Sequence, residues 1–214
     1  MNLVGLSVES FLRELGSASA APGGGSVAAL SGALAAALCE MVAGLTVGKE
    51  KYRSSLKDVE KAGHESAALQ SRLRDLVEED TRALLAVMEA RRLPRGTACE
   101  RRARERSLQE AILQSAKVPL STLCALRELS AIAGRVTEMG NPSCVTDAGC
   151  AAQMIRAGAV CAAWNVRVNL PSVRDTVARE ELSARTAKML HEVMDETQRI
   201  EGIVEDRLER MPGP

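Results

Sequence analysis

The sequence predicts an all-α fold, an antiparallel multi-helix bundle with two buried small-residue helices, about 26–47 and 143–168, at its centre. Apolar residues recur at helical spacing along most of the 214 residues, and no stretch shows the persuasive alternation of a β-strand. The two central segments consist mainly of Ala, Gly, Val and other small residues and carry few charges, which favours burial on most sides. A chain of this length can form one domain with a substantial core, and 1–214 is interpreted as a single domain.

Seven helices are expected in chain order. A short first helix is capped by Ser7 and ended by Gly16. Prolines and glycines at 93–96, 119, 140–142 and 169–171 mark the later breaks, and Pro119 is expected to end the fourth helix. The predicted helices cover about 8–15, 26–47, 54–92, 99–117, 120–139, 143–168 and 172–210.

A glycine triplet precedes the first central helix. Gly23, Gly24 and Gly25 allow backbone conformations that a Cβ forbids, and Ser26 after them is a suitable N-cap, so a tight loop should lead directly into a helix. Free backbone amides at such a start attract anions. The loop is therefore a candidate ligand site, with a turn needed for close helix packing as the alternative.

The charges balance overall but not locally. Lys and Arg total 28, as do Asp and Glu, so net charge gives no reason to expect nucleic acid or an acidic membrane as partner. Seven arginines nevertheless lie between Arg91 and Arg106. A solvated helix surface is the first interpretation of this cluster, with an anion-binding rim and nucleic-acid binding as the alternatives.

Cysteine usage and the N-terminal residues favour a cytoplasmic protein. The six cysteines form no CxxC pair, and two histidines add little, so they predict core thiols in a reducing compartment and no metal site. The N-terminus lacks the pattern of a signal peptide. The uncharged run 18–39 is long enough to cross a bilayer, but its glycines, its many alanines and its lack of aromatic and basic flanks favour a buried helix instead.

Polar residues lie at both ends of the second central helix. Asn141 and Asp147 are near its start, and Asn165 and Asn169, which share one helical face, are near its end. Buried amides and charges need partners, from the protein or from a ligand. The structural alternatives are a helix cap for Asn141, a salt bridge for Asp147, and a hydrogen-bond network at the helix C-terminus for the two other asparagines.

Six motifs in matching order resemble those of the cyclodeaminase/cyclohydrolase family, which comprises the C-terminal domain of formiminotransferase-cyclodeaminase and stand-alone methenyltetrahydrofolate cyclohydrolases. The resemblance runs from about Leu6 to Asp175. The motifs are Ala21-Pro22-Gly23-Gly24-Gly25-Ser26-Val27-Ala28-Ala29, Gly48-Lys49-Glu50-Lys51-Tyr52, Arg92-Leu93-Pro94, Val118-Pro119-Leu120, Asn141-Pro142 with Asp147, and Asn165-Val166-Arg167-Val168-Asn169-Leu170.

The resemblance implies an all-α, homodimeric enzyme of folate one-carbon metabolism. A cyclodeaminase closes N10 of 5-formiminotetrahydrofolate on the formimino carbon and releases ammonia, leaving the 5,10-methenyl cation. A cyclohydrolase adds water to that cation and gives 10-formyltetrahydrofolate. The substrate, a tetrahydrofolate derivative that can carry a polyglutamate tail, is the only expected partner besides the second subunit, with no metal or redox cofactor. A non-catalytic helical interaction protein, using the charged helices 54–92 and 172–210, is the alternative from another class.

The residues supply groups suited to this chemistry. Asp147 is expected to move the proton, with Lys49 and Lys51 either keeping it ionised or binding the glutamate tail; the alternative for both lysines is a solvated helix end. Tyr52 and Trp164 offer flat surfaces to a pterin or benzoyl ring, with core packing favoured for Trp164 and for Phe11, the third aromatic. The remaining binding groups are Gly23, Gly24, Gly25, Ser26, Asn141, Asn165, Arg167 and Asn169.

Helix geometry limits how these groups combine. Asp147 and Asn165 are separated by five turns, about 27 Å along a straight helix, so one reacting carbon cannot touch both in one subunit. Antiparallel central helices would place Lys49 and Lys51 beside Asp147, and the glycine triplet beside Asn165. A parallel pair would instead bring the triplet to Asp147. The antiparallel arrangement is favoured.

Overall fold

The computed structural model describes residues 2–48 and 56–210, and within them six α-helices and two short 3-10 turns are present without any strand. The all-α prediction is confirmed. The turns, Pro142–Cys144 and Leu170–Ser172, flank the fifth helix. The helices are α1 Val8–Leu15, α2 Gly24–Gly44, α3 Leu56–Arg92, α4 Ala98–Met139, α5 Val145–Asn169 and α6 Thr176–Glu209.

Helices α2 and α5 form the predicted antiparallel central pair. The Ser31 hydroxyl of α2 donates to the Met154 carbonyl oxygen of α5 at 2.8 Å, near the middle of both helices. The N-terminus of α2 lies beside the last turns of α5, because a Cβ built on Gly24 would lie 3.4 Å from Asn165 Nδ2. Helices α3 and α4 cover the pair, and α6 packs against α4 and α5.

The small residues of α2 explain both its apolar character and its place in the core. By length and composition α2 is long and apolar enough to cross a membrane, and half of its most apolar window is buried inside the protein. Ala29, Ala35, Ala36 and Cys39 have no exposed surface. Burial raises the pKa of the Cys39 thiol to about 12, as expected for a small core residue.

The predicted break at Pro119 is wrong, because Pro119 lies inside α4, which is one helix of 42 residues. Proline lacks the N–H that would bond the carbonyl four residues earlier, which belongs to Ser115. The Asn169 side-chain amide donates to that Ser115 oxygen at 3.1 Å. A neighbouring helix thus supplies the missing donor, and the helix stays intact.

Removal of the Asn169 side-chain amide is expected to lower the stability of the protein strongly only while Pro119 is present. Asn169→Ala should lower the free energy of unfolding by about 2 kcal/mol, because the half-buried Ser115 carbonyl loses its partner. In a Pro119→Ala background the new backbone N–H can bond Ser115, so the same change should cost at least about 1 kcal/mol less. Urea denaturation of the four proteins measures the difference. Equal costs in both backgrounds would contradict the account.

The arginine cluster lies where α3 turns into α4, and residues 91–99 there are all exposed. Two of its members shape the turn itself: the Arg101 guanidinium donates to the Gly96 carbonyl oxygen at 2.9 Å, and the Arg104 guanidinium donates to that of Arg91 at 3.0 Å. The cluster is therefore a solvated surface, as first interpreted, that also holds the connection between the helices.

Candidate functional site

The antiparallel pair brings the polar residues of the sequence to two separate ends. The glycine end comprises residues 23–26 of α2 with Asn165 and Asn169 of α5. The Asp147 end comprises Thr46, Asn141 and Asp147. The two ends are separated by about 27 Å along α5. Lys49, Lys51 and Tyr52 lie outside the described residues, so their pairing with Asp147 stays a prediction.

The glycine end differs from the predicted loop in two ways. Helix α2 begins at Gly24, and its N-cap is Gly23. Ser26 is therefore not the predicted N-cap: it lies inside the first turn, and its side chain points to α3. None of the three glycines has a positive φ; Gly48 is the sole case among the described residues. A Cβ would be obstructed at one of the three, Gly25, whereas Gly23 has open space around it. At Gly25 a Cβ would overlap the Asp80 carboxylate.

Asp80 of α3 is the residue that sequence reasoning missed. The Ser26 hydroxyl donates to Asp80 Oδ2 at 2.8 Å, and the Ser26 backbone N–H also donates to the Asp80 carboxylate. Helix α2 has no side-chain cap of its own, so Asp80 takes the place of one from a neighbouring helix. Nothing in the sequence marks Asp80 among the many charges of the 54–92 helix.

The environment of Asp80 shifts the pKa of its carboxyl upwards from the ordinary value of an aspartate. The side chain is half-buried, and burial raises the pKa of the carboxyl, while the two hydrogen bonds from Ser26 oppose the rise. No charged side chain of residues 2–48 or 56–210 contributes to the shift. Neighbouring Glu78 accepts the Val4 N–H at 3.0 Å, and Glu79 pairs with Arg72 at 2.7 Å.

The two asparagines of α5 are largely occupied by the protein. Asn165 Nδ2 donates to the Cys161 carbonyl oxygen at 2.8 Å, and Asn169 Nδ2 donates to those of Asn165 and Ser115. The alternative interpretation of these asparagines was a hydrogen-bond network at the C-terminus of the helix. Their amide nitrogens form such a network. Arg167, between them, is exposed and borders a groove of about 490 Å³ that Arg179 also lines.

At the Asp147 end, Asn141 is a cap. Its Oδ1 accepts the Ser143 N–H at 3.2 Å, and its own backbone N–H donates to the Thr46 hydroxyl at 2.8 Å. Thr46 follows α2 and Asn141 precedes α5, so this bond ties the second pair of helix ends together. Asp147 is half-buried in the first turn of α5.

Several large apolar side chains of α2 and α5 are exposed. Trp164 is 60% exposed, so its expected place in the core is wrong, whereas Phe11 is buried as expected. Core positions in α5 are taken by alanines, which let α2 approach closely and leave an indole no room. Together with Trp164, four exposed side chains define the outer face: Leu34 and Met41 from α2, and Met154 and Val168 from α5.

Comparison with known proteins gives consistent matches. The family model described as formiminotransferase-cyclodeaminase matches residues 7–188. A methenyltetrahydrofolate cyclohydrolase from Methylorubrum extorquens is 39% identical over 175 residues, which cover 82% of this chain and 84% of that protein. The mouse formimidoyltransferase-cyclodeaminase is 35% identical over 208 residues, 97% of this chain but 38% of that protein. The chain therefore spans well under half the length of the bifunctional relative.

A solved structure shares the fold along almost all of both chains. The crystal structure of formiminotetrahydrofolate cyclodeaminase from Thermotoga maritima is 25% identical, with a TM-score of 0.87, and the match covers 96% of this chain and 99% of that one.

Proposed function

Because the chain belongs to the formiminotransferase-cyclodeaminase family, we propose that it is a folate one-carbon enzyme acting at the carbon between N5 and N10 of tetrahydrofolate. The glycine end is the observation that supports this most: α2 amides, Ser26 and a half-buried carboxylate meet beside Asn165. Such a site combines donors for a polar pterin edge with a group able to exchange a proton.

The reaction proposed first is that of a cyclodeaminase, which forms 5,10-methenyltetrahydrofolate and ammonia. Its support is the Thermotoga maritima cyclodeaminase, whose chain is covered almost completely, and the mouse relative. The second candidate is hydration of the methenyl cation to 10-formyltetrahydrofolate. Its support is the higher identity to the Methylorubrum extorquens cyclohydrolase. Both reactions pass through a tetrahedral carbon and need proton transfer only, so the proposal includes no metal or redox group.

The proposed binding groups follow the two ends of the central pair. Gly23, Gly24, Gly25 and Ser26 with Asn165, Arg167 and Asn169 are assigned to one end of the substrate. Asn141, Tyr52 and the lysines are assigned to the other, where Lys49 or Lys51 would meet a glutamate tail or hold Asp147 ionised. To touch both ends within one subunit, an extended folate would have to lie along the length of α2 and α5.

A cytoplasmic homodimer is part of the proposal. The outer face exposes large apolar side chains on the central pair, the kind of patch that marks an interface. A twofold axis that lies in this face at right angles to α2 and α5 would also bring the glycine end of one subunit towards the Asp147 end of its partner. Sedimentation equilibrium is expected to give twice the mass of one chain, and a monomer at micromolar concentration would contradict the assembly.

The absorbance of the methenyl cation tests the function directly. With 5-formiminotetrahydrofolate the pure protein should raise this absorbance and release ammonia; with the methenyl compound it should remove the absorbance faster than buffer alone. The substrate with the higher turnover per active site decides between the two candidates: the formimino compound indicates a cyclodeaminase, and the methenyl compound indicates a cyclohydrolase. No turnover of either compound, together with no rise in melting temperature on adding a folate, would favour the helical interaction protein instead.

A further inference from the structure

A groove of about 490 Å³ lies where α5 ends and α6 begins. Its apolar lining comes from Leu170 and Pro171 in the turn that follows α5. Its polar lining includes Arg167 from the last turn of α5, and Arg179 and Ser183 from α6. The groove thus combines two guanidinium groups and a hydroxyl with an apolar surface.

The protein does not neutralise the two arginines of this groove. Neither forms a salt bridge with a carboxylate of residues 2–48 or 56–210. Arginines close to them in the sequence differ, because Arg174 pairs with Glu105 at 2.6 Å and Arg185 pairs with Glu181 at 3.4 Å. Glu180 also lines the groove, but it is not paired with either arginine. The groove therefore keeps a net positive charge.

The position of Arg179 at the groove is fixed by the backbone. Its guanidinium donates to the Val173 carbonyl oxygen at 3.0 Å, and the residue is half-buried. A guanidinium has five N–H groups in a planar fork, so the others can still donate to a carboxylate. A side chain that is already held in place loses little conformational entropy when it binds a ligand.

The groove is close to the glycine end. Arg167 follows Asn165 by two residues and Pro171 follows it by six, which is about 10 Å along the end of α5. In tetrahydrofolate the p-aminobenzoyl unit separates N10 from the glutamate by a comparable distance. A pterin at the glycine end can therefore place its glutamate in the groove, whereas the Asp147 end is about 27 Å away along α5.

We propose that this groove binds the glutamate carboxylates of the folate substrate through Arg167 and Arg179. The inference rests on the proposed function and adds a residue of α6, Arg179, to the substrate site. Two guanidinium groups match two carboxylates, and the Ser183 hydroxyl can donate a further hydrogen bond. Leu170 and Pro171 offer an apolar contact to the benzoyl ring.

Two ligands that differ only in the glutamate test this assignment. The first is 5-formyltetrahydrofolate, and the second is its pteroylamide analogue, in which a carboxamide replaces the glutamate. Isothermal titration calorimetry measures the Kd of each. The wild type should bind the first at least about 30-fold more tightly. This preference should decrease as the salt concentration rises, because it depends on charge.

Substitution of each arginine should reduce the preference. Arg179→Gln should lower it by about 10-fold, and Arg167→Gln, at an exposed position, by about threefold. The Kd of the pteroylamide should change less than about twofold in both, because it lacks the carboxylates. The matched control is Arg185→Gln, an exposed arginine of α6 outside the groove, whose preference should equal that of the wild type. In turnover, Arg179→Gln should raise KM about 10-fold and leave kcat nearly unchanged.

The outcomes separate this inference from the proposed function. A wild type that binds neither compound would remove both. A wild type that shows the preference without turnover would remove the proposed reaction and keep the glutamate assignment.

Equal binding of the two compounds, or a preference that neither variant reduces, would overturn the assignment and leave the proposed function standing. A preference lost in Lys49→Gln or Lys51→Gln but kept in both arginine variants would overturn it too, since the glutamate would then lie at the Asp147 end. If loss of the Val173 bond unfolds Arg179→Gln, the exposed Arg167→Gln variant decides alone.

Discussion

Gly25→Ala is expected to lower turnover by about two orders of magnitude. The new Cβ would overlap the Asp80 carboxylate, so Asp80 has to rotate away from Ser26 or α2 has to shift. Either movement displaces the carboxylate that meets the α2 amides at the glycine end, and a displacement of about 1 Å is enough for a loss of this size. The overpacking should also cost about 1–3 kcal/mol of unfolding free energy.

The matched control is Gly202→Ala in α6, where the same substitution meets no atom within 4 Å. This variant should keep full turnover and gain slightly in stability, because alanine favours a helix more than glycine does. Turnover is measured by the methenyl absorbance assay, and stability by urea denaturation. A fully active Gly25→Ala protein would show that the placement of Asp80 does not matter for the reaction.

Gly158→Val is expected to destabilise the protein by about 3 kcal/mol, because it forces the central pair apart. A Cβ at this position would lie 2.9 Å from the Ala28 carbonyl oxygen of α2, and backbone cannot move aside as a flexible side chain can. The Leu126 side chain, 3.2 Å away, closes the other side. Turnover should fall as well, since the same contact sets the distance between Gly24 and Asn165.

Gly202→Val serves as the control for this change, because it places the same side chain in a helix with open space. Its unfolding free energy should stay within about 0.5 kcal/mol of the wild type. Urea denaturation with equal m-values would show that the folded and unfolded states stay comparable. A Gly158→Val protein as stable as the control would contradict the close packing of α2 against α5.

The fold class was predictable from the sequence because it depends on repeating local patterns. The small-residue composition of α2 and α5 predicted a buried central pair, and their polar ends made the antiparallel arrangement the favoured one. Pro119 was misjudged because the rule for a proline in a helix considers only the lost backbone bond. The compensating donor, Asn169, is 50 residues away in the sequence and lies close only after folding.

The site was predictable only in part, since its chemistry depends on a contact between two helices. The glycine triplet marked the correct end of α2, but its partner Asp80 carries no motif of its own. Burial gives Asp80 its altered pKa, and burial of one charge in a polar helix cannot be read from spacing. Trp164 was misplaced for the opposite reason, since an aromatic in an apolar helix is usually buried and this one faces outwards.

The most direct test of the account is the position of a bound folate. A crystal structure of the protein with 5-formyltetrahydrofolate, a stable relative of the formimino substrate, should place the formyl carbon and N10 within about 4 Å of the Asp80 carboxylate. The pterin should then contact the first turn of α2 and the end of α5. A folate whose one-carbon group lies beside Asp147, with the glycine end unoccupied, would contradict the central claim.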